Sequence, residues 1–428
     1  MNKLKAVLYS IKQDSLYRNS LLLILSTAIV SALGFLFWSI NTRYFSADQI
    51  GLAASLISST ALLTNLSFLG FNNTLIRFLP AQKDKSSYVS TAILVTSIAA
   101  LTLSTIFMLG LDTFASDLAD KLGFWEKVTV SLYVVAAVVG AMLDSLFVSS
   151  RSAQVILFKN TFVSIAKLAL PLAFVSLGFF GIFNAIAISL VAGTIVSAIF
   201  AYRRGIRFMT KIDGNVLKEV RTYASGNYLA SIFGSMPATI LPIMVVSVLG
   251  AKEAAYFYMP MMIATLLNVI PSSSCQSLFA EASHDQERMH VHIAKTFRST
   301  MILLVPGALV IAVGGNLLLD IFGKEYSNQG MTILQLLALA SIFGAINYMG
   351  DTVLNVRKQL RAYISMNLLN AILVLAACYF MMREWGLIGV GLGWLTGQVI
   401  TVAIYLIAYG REELRLHRVL RTTSQTSA

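Results

Sequence analysis

One polar stripe inside a long apolar segment is suited to binding an anion. Asn160, Ser164, Lys167 and Pro171 recur at helical spacing, which places them on one face of an α-helix. A cation at the middle of a bilayer costs at least ~2.5–3.5 kcal/mol on insertion scales, and such residues usually face a cavity or a partner. The stripe therefore predicts the wall of a hydrated cavity in which Lys167 binds an anion. The alternative is that Lys167 snorkels to a membrane interface.

Amides in other apolar segments are able to hydrogen-bond a polar ligand. They are Asn65 and Asn72 in the second predicted helix, Asn227 in the seventh and Asn268 in the eighth. Amides inside a membrane also join helices, at about 0.6 kcal/mol per hydrogen bond, so packing is the competing interpretation for any single one. Their concentration in the first two helices of each half of the chain favours a polar path through the membrane.

Two carboxylates, Asp144 and Asp351, lie near predicted helix ends beside basic residues. A salt bridge or solvation at the membrane interface explains both of them. The competing hypothesis is that they form a gate that opens and closes between two states of the protein.

The sequence contains no signature of an enzyme. It has no Walker-type phosphate loop, no GxSxG elbow and no HExxH pair. Cys275 and Cys378 lack metal-ligand spacing. The histidines 284, 290 and 292 share one loop without a cysteine or a matching array of carboxylates. We therefore predict no catalytic residues, no metal site and no cofactor.

The elements that must position these residues are membrane-spanning helices. Of the 428 residues, 57% are hydrophobic and 12% are charged, whereas soluble chains carry about 25% charged residues. Uncharged runs long enough to cross the roughly 30 Å hydrocarbon core recur along the chain. We predict twelve helices, at about residues 19–41, 50–71, 87–111, 127–148, 155–177, 180–202, 226–248, 254–275, 299–319, 329–349, 362–382 and 386–409.

The basic residues predict the orientation of these helices. Most of the 32 lysines and arginines fall on one side if the N-terminus is cytoplasmic, and the excess of Lys and Arg in short loops marks the cytoplasmic side. Both termini are therefore expected in the cytoplasm. The net charge of +12 is explained in this way and does not indicate nucleic-acid binding.

The chain also has the pattern of an internal duplication. Asp144 and Asn160 bracket one basic turn, and Asp351 and Asn367 bracket another at the same separation. We predict a six-helix bundle at 1–202, a basic cytoplasmic linker at 203–225, a second six-helix bundle at 226–410 and a cytoplasmic tail at 411–428. Because six is even, the two bundles are expected to be parallel repeats.

Three segments resemble a known family. They are Arg43–Gly51 after the first helix, Leu69–Pro80 at the end of the second, and the glycine-rich Gly386–Gly393 opening of the twelfth. With twelve helices in two halves, the chain resembles the polysaccharide repeat-unit flippases (Wzx-like) of the multidrug/oligosaccharidyl-lipid/polysaccharide exporter superfamily, which includes the MATE transporters.

This resemblance implies export of an undecaprenyl-pyrophosphate-linked oligosaccharide across the bacterial inner membrane by alternating access, for O-antigen, capsule or exopolysaccharide synthesis. Membrane lipids, glycosyltransferases and a polymerase of the same pathway are the implied partners. The implied cations for the phosphate or an acidic sugar are Lys167, Arg77 and Arg151. The five amides Asn65, Asn72, Asn160, Asn227 and Asn268 would then hydrogen-bond the glycan.

Three alternatives remain open at this point. An ion-coupled antiporter of cationic drugs would be expected to have a membrane carboxylate in the N-terminal half, and the first helix has none. A polymerase or ligase acting on the same glycans would require a large outer loop, and the longest, about 112–126, is short. A membrane scaffold for a glycosyltransferase complex would not transport anything.

Overall fold

The computed structural model describes residues 15–114, 116–284 and 289–408. The predicted tail at 411–428 and the basic residues Lys3, Lys5 and Lys12 lie outside them. The helices are α1 (Ser15–Tyr44), α2 (Ala47–Ser67), α3 (Phe71–Phe78), α4 (Lys85–Leu109), α5 (Phe124–Ser149), α6 (Ala153–Ala173), α7 (Phe179–Arg203), α8 (Gly214–Leu249), α9 (Ala251–Leu267), α10 (Val269–His284), α11 (Met289–Asp320), α12 (Lys324–Val356) and α13 (Leu360–Ala408). Two single turns, Leu111–Phe114 and Ser116–Ala119, separate α4 from α5.

Within the described residues, eleven helical segments are long and apolar enough to cross a membrane. Helix α13 has 49 residues, which is about 73 Å of helix and too long for one crossing of a bilayer. Gly386 interrupts it with φ 56° and ψ −136°, a conformation that favours glycine. The break gives two segments, α13a (360–385) and α13b (387–408). The protein is therefore an all-α, multi-pass membrane protein, and the predicted fold class is confirmed.

The two halves repeat unusual backbone conformations at matching places. Arg151 after α5 and Lys358 after α12 both have left-handed φ values, 52° and 57°. Gly178 before α7 has φ 58° and ψ −139°, close to the values of Gly386 before α13b. The hydrogen bonds that close the turns after α5 and α12 also follow the same pattern. The backbone thus supports the parallel duplication that the sequence predicts.

The chain separates into two compact units. The N-terminal unit comprises Met1–Ile232 with Gly250–Ala255, and the C-terminal unit comprises Phe233–Leu249 with Tyr256–Ala428. The main core of the N-terminal unit is a cluster that includes Tyr88, Met142 and Phe147. The C-terminal unit has smaller clusters, one around Leu304 and Ala338 and another around Leu354 and Tyr405.

The predicted linker, 203–225, is non-helical only between α7 and α8. Its backbone amides at Arg207, Met209 and Asp213 donate to the hydroxyls of Ser86, Ser90 and Thr91 at 2.9–3.0 Å, at the start of α4. Helix α8 begins at Gly214, before the predicted start at 226, because Val216 and Val220 are buried in the core cluster of the N-terminal unit. Burial of this one face stabilises helical turns that are otherwise polar.

Candidate functional site

Helices α1 and α6 lie side by side in the N-terminal unit and run in the same direction. Three contacts join them in matching order: Ala153 N–H to Asn19 Oδ1 at 2.8 Å, Asn160 Nδ2 to Ser26 Oγ at 2.9 Å, and Lys167 Nζ at 5.5 Å from the centre of the Phe37 ring. Asn160 and Lys167 of the predicted polar stripe therefore both face α1.

Lys167 is a half-buried cation next to an aromatic ring. Phe37 is only 2% exposed, and the ammonium over its face makes a cation–π contact, which contributes about 0.5–2 kcal/mol. Among the residues that the structure describes, no carboxylate pairs with Lys167. The ring stabilises the cation without neutralising it, so the ammonium retains its capacity to bind an anion.

The other members of the stripe are Asn160, Ser164 and Pro171. Asn160 uses its amide N–H on Ser26, a buried serine of α1. Ser164 is 2% exposed, and Pro171 lies within the last turn of α6. The structure thus brings these residues together on one face, and Lys167 is the member whose charge has no counterion there. Ligand binding by Asn160 and Ser164 stays a prediction.

A break in the second predicted helix positions two more candidates, Asn65 and Asn72. Leu69 and Gly70 adopt positive φ, 49° and 81°, so α2 ends at Ser67 and the short α3 follows. Asn65 is half-buried in the last turns of α2. The Oδ1 atom of Asn72 in α3 is buried without a hydrogen-bond partner in the described chain. A buried amide oxygen without a donor is costly, which makes Asn72 a candidate to accept a bond from a ligand.

Cations collect at one end of the N-terminal unit. Arg77 is exposed on α3 with its guanidinium 5.4 Å from the centre of the Phe78 ring. Arg151 is exposed in the turn between α5 and α6. Arg204 donates to the hydroxyl of Ser152 in that same turn. This end of the unit is suited to attracting phosphate oxygens, which arginine binds with fixed geometry.

Asp144 forms an ion pair within the N-terminal unit. Its Oδ2 lies 2.5 Å from Lys159 Nζ, which joins α5 to α6, and the side chains are 30% and 12% exposed. The salt-bridge interpretation of Asp144 thus has a specific partner. The gate hypothesis requires this pair to open during function.

Lys159→Met is expected to destabilise the N-terminal unit, because it leaves the Asp144 carboxylate without its cation. Removing one partner of a fully buried pair costs about 3–5 kcal/mol, and the partial exposure of Asp144 reduces the expected loss to about 2 kcal/mol. The double variant Asp144→Leu/Lys159→Met should regain part of that loss. Thermal melting of the purified variants in one detergent measures both, and equal losses in the single and double variants would contradict the pairing.

Asp351 in the C-terminal unit has a different environment. Its Oδ1 accepts a hydrogen bond from Asn367 Nδ2 at 3.0 Å and another from the Tyr405 hydroxyl. Both donors are neutral, although the spacing of Asp351 and Asn367 repeats that of Asp144 and Asn160. The two predicted gate residues therefore differ in chemistry, because one has a lysine partner and the other has neutral donors.

The two remaining amides lie in different units. Asn227 is exposed on α8 in the N-terminal unit. Asn268 is half-buried in the C-terminal unit, at the break between α9 and α10. No side-chain partner in the described residues identifies a role for either, so glycan binding by both stays a prediction.

Sequence reasoning missed three residues that shape these sites. Phe37 and Ser26 are the partners of Lys167 and Asn160 on α1, and an apolar helix gives no signal for such a pairing. Tyr405, the donor to Asp351, lies in the last helix with no local motif around it. Helical periodicity shows which residues of one helix lie on the same face. It does not show which other helix packs against that face, and only the folded chain identifies it.

Comparison with known proteins finds a matching protein family and a partial match to one relative. Residues 16–279 match the profile of a family described as "Polysaccharide biosynthesis protein". A segment of 168 residues is 20% identical to a Shigella flexneri protein described as "Putative O-antigen transporter". That segment covers 39% of this chain and 40% of the relative, so the chain matches less than half of the relative's length.

Two solved structures show the same fold. The lipid II flippase MurJ in an inward closed conformation is similar with a TM-score of 0.74 and 12% identity, over 91% of this chain and 87% of that one. An inward-facing multidrug resistance MATE transporter of the MOP superfamily is similar with a TM-score of 0.71 and 14% identity, over 90% and 94% of the two chains. At these identities the similarity establishes the fold alone.

Proposed function

Since this chain belongs to the polysaccharide biosynthesis protein family, we propose that it is a flippase that moves a lipid-linked oligosaccharide across the membrane. The substrate is an undecaprenyl-pyrophosphate-linked repeat unit, carried by alternating access to the outer leaflet for assembly of a surface polysaccharide. The observation that carries this proposal is Lys167, a membrane-embedded cation beside Phe37 with no carboxylate partner in the described chain.

The chemistry of such a substrate agrees with the residues of the N-terminal unit. A pyrophosphate is anionic, and a charge-assisted contact inside the membrane is stronger than one in water because the dielectric constant is low. Lys167 supplies that contact. The unpaired Oδ1 of Asn72 accepts a bond from a sugar hydroxyl, and Asn65, Asn160 and Asn227 extend the polar path within this unit. Asn268, in the C-terminal unit, is a separate proposed contact with the glycan.

The cationic end of the N-terminal unit is the proposed entrance. Arg77 and Arg151 are exposed there, and in the predicted orientation, with both termini cytoplasmic, they face the side on which the lipid-linked unit is made. Asp144 and Asp351 are the proposed gates. We place the protein in the bacterial inner membrane beside the glycosyltransferases and the polymerase of its pathway.

The fold also fits an antiporter of cationic drugs, since a MATE transporter is among the similar structures. Lys167 argues against this function, because a cation without a counterion repels a cationic ligand. An anionic substrate is therefore the better match to the N-terminal unit.

Deletion of the gene tests the proposed function. We expect loss of surface polysaccharide and accumulation of polyprenyl-linked oligosaccharide in the extracted lipids, and restoration of both by the wild-type gene. Unchanged glycans in the deletion strain would reject the flippase. Altered resistance to cationic compounds with normal glycans would support the antiporter instead.

A further inference from the structure

The C-terminal unit contains a carboxylate inside its helix bundle that is held only by neutral groups. Asp351 lies on α12, and its Oδ1 accepts hydrogen bonds from Asn367 Nδ2 of α13a and from the Tyr405 hydroxyl of α13b. Its Oδ2 has no hydrogen-bond partner among the described residues. Three helical segments thus meet at one carboxyl group that has one bound oxygen and one open oxygen.

The orientation of the Asn367 amide is fixed by a second contact. The same Nδ2 also donates to the backbone carbonyl of Tyr363 at 3.0 Å, so the amide turns its N–H groups, and not its oxygen, to Asp351. A Cβ atom at Gly234 of α8 would lie 2.7 Å from Asn367 Oδ1. The missing side chain at Gly234 therefore leaves room for this orientation.

Three other described titratable groups that interact with Asp351 are also neutral in their usual state. Tyr348 lies on α12 itself, Tyr363 on α13a, and the Cys275 thiol on α10. Helix α11, which also packs on α12, contributes no charged partner to Asp351 among the described residues. An unpaired carboxylate inside a membrane protein is costly, and uptake of a proton is the usual means of removing that cost.

At the matching place in the N-terminal unit, the carboxylate of Asp144 forms an ion pair instead. Aligning Asp351 and Asn367 with Asp144 and Asn160 places Met366 where the N-terminal unit has Lys159. Met366 is 6% exposed and packs with Leu354 and Tyr405 in one apolar cluster. The C-terminal unit thus has an apolar residue in place of the cation, while its carboxylate is retained.

We propose that Asp351 is a proton-binding site, at which Oδ2 takes a proton from hydronium, releases water and forms a neutral carboxylic acid. Release of the proton to water restores the carboxylate. A metal cation would require several oxygen ligands, and the nearest side chains present N–H and O–H donors instead. Coupling of this proton to transport rests on the proposed flippase function, whereas proton binding itself does not.

Infrared difference spectroscopy of the purified full chain tests proton binding without any substrate. As pH falls from about 9 to about 4, the wild type should show a carboxylic-acid C=O band that shifts when aspartate is labelled with ¹³C at its side-chain carboxyl. The band should be lost in Asp351→Asn and retained in Asp144→Asn. In Tyr405→Phe it should move to higher frequency, because the carbonyl loses a hydrogen-bond donor.

A reciprocal exchange of the repeat residues provides the second arm. Met366→Lys gives Asp351 a cation and should remove the band, whereas Lys159→Met removes the cation of Asp144 and should add a second band. A band that persists unchanged in both Asp351→Asn and Met366→Lys would overturn the proposal. The infrared measurement needs no transport, so a negative result would leave the flippase proposal standing. Conversely, normal glycans in the deletion strain would reject the flippase without affecting the evidence for proton binding.

Discussion

Lys167→Ala is expected to lower the export of the lipid-linked oligosaccharide by about tenfold to a hundredfold. The variant removes a charge-assisted contact with the substrate anion, which contributes about 1.5–3 kcal/mol, and each 1.4 kcal/mol corresponds to a factor of ten. The backbone of α6 should be unaffected, because alanine is a good helix former. The measurement is the ratio of surface polysaccharide to polyprenyl-linked oligosaccharide in the deletion strain that carries the variant.

Two substitutions at the same position separate charge from packing. Lys167→Arg keeps the cation over the Phe37 ring and should retain most of the export. Lys167→Met keeps the length and the apolar contact without the charge, and it should fail like Lys167→Ala. Lys121, which is exposed, is the matched lysine outside the proposed path, and its alanine variant should export normally. Normal export by Lys167→Met at wild-type protein level would remove Lys167 from the substrate path.

The helices and the stripe were predictable because local sequence determines them. A run of apolar residues must form a helix in the membrane, since each backbone polar group has to be satisfied within it. The spacing of Asn160 and Lys167 then places both on one face. The unexpected early start of α8 at Gly214 has a non-local cause, which is the burial of Val216 and Val220 in the core of the N-terminal unit.

The chemistry of the two carboxylates was not predictable from their spacing. Asp144 and Asp351 occupy matching places, and both lie beside basic residues in the sequence. The folded chain pairs Asp144 with Lys159 and gives Asp351 a hydroxyl from Tyr405, a residue of a different helical segment. The donor that faces a carboxylate depends on how different helical segments pack together. The periodicity of a single helix does not determine this packing.

Gly393→Val is expected to prevent stable folding of the C-terminal unit. Gly389, Gly393 and Gly397 recur at every fourth residue along α13b, and this spacing of small residues allows two membrane helices to approach closely. A Cβ atom at Gly393 would lie 2.4 Å from Cys378 Cα of α13a. Overpacking a core costs about 1–3 kcal/mol when side chains are able to move, and a clash with backbone should exceed that range.

Size-exclusion chromatography and thermal melting of the detergent-solubilised variants measure this effect. Gly314→Val is the matched control, because a Cβ atom at Gly314 meets nothing within 4 Å. It should elute like the wild type and melt at the same temperature or slightly above it, because valine is a better helix former than glycine. A Gly393→Val protein that melted like the control would show that α13a and α13b do not pack this closely.

A clash at a substituted glycine can be relieved by a second substitution only if the atom that it meets belongs to a side chain and not to the backbone. At Gly391 the nearest atom is Leu336 Cδ1, at 2.9 Å, which belongs to a side chain. Gly391→Ala should therefore destabilise the protein moderately, and Leu336→Ala should restore part of the loss. At Gly393 the contact is with backbone, so shortening Cys378 to alanine should restore nothing. Because α13b also carries Tyr405, the same close approach holds the hydroxyl against Asp351, and the backbone packing of α13 thereby determines the geometry of the proposed proton site.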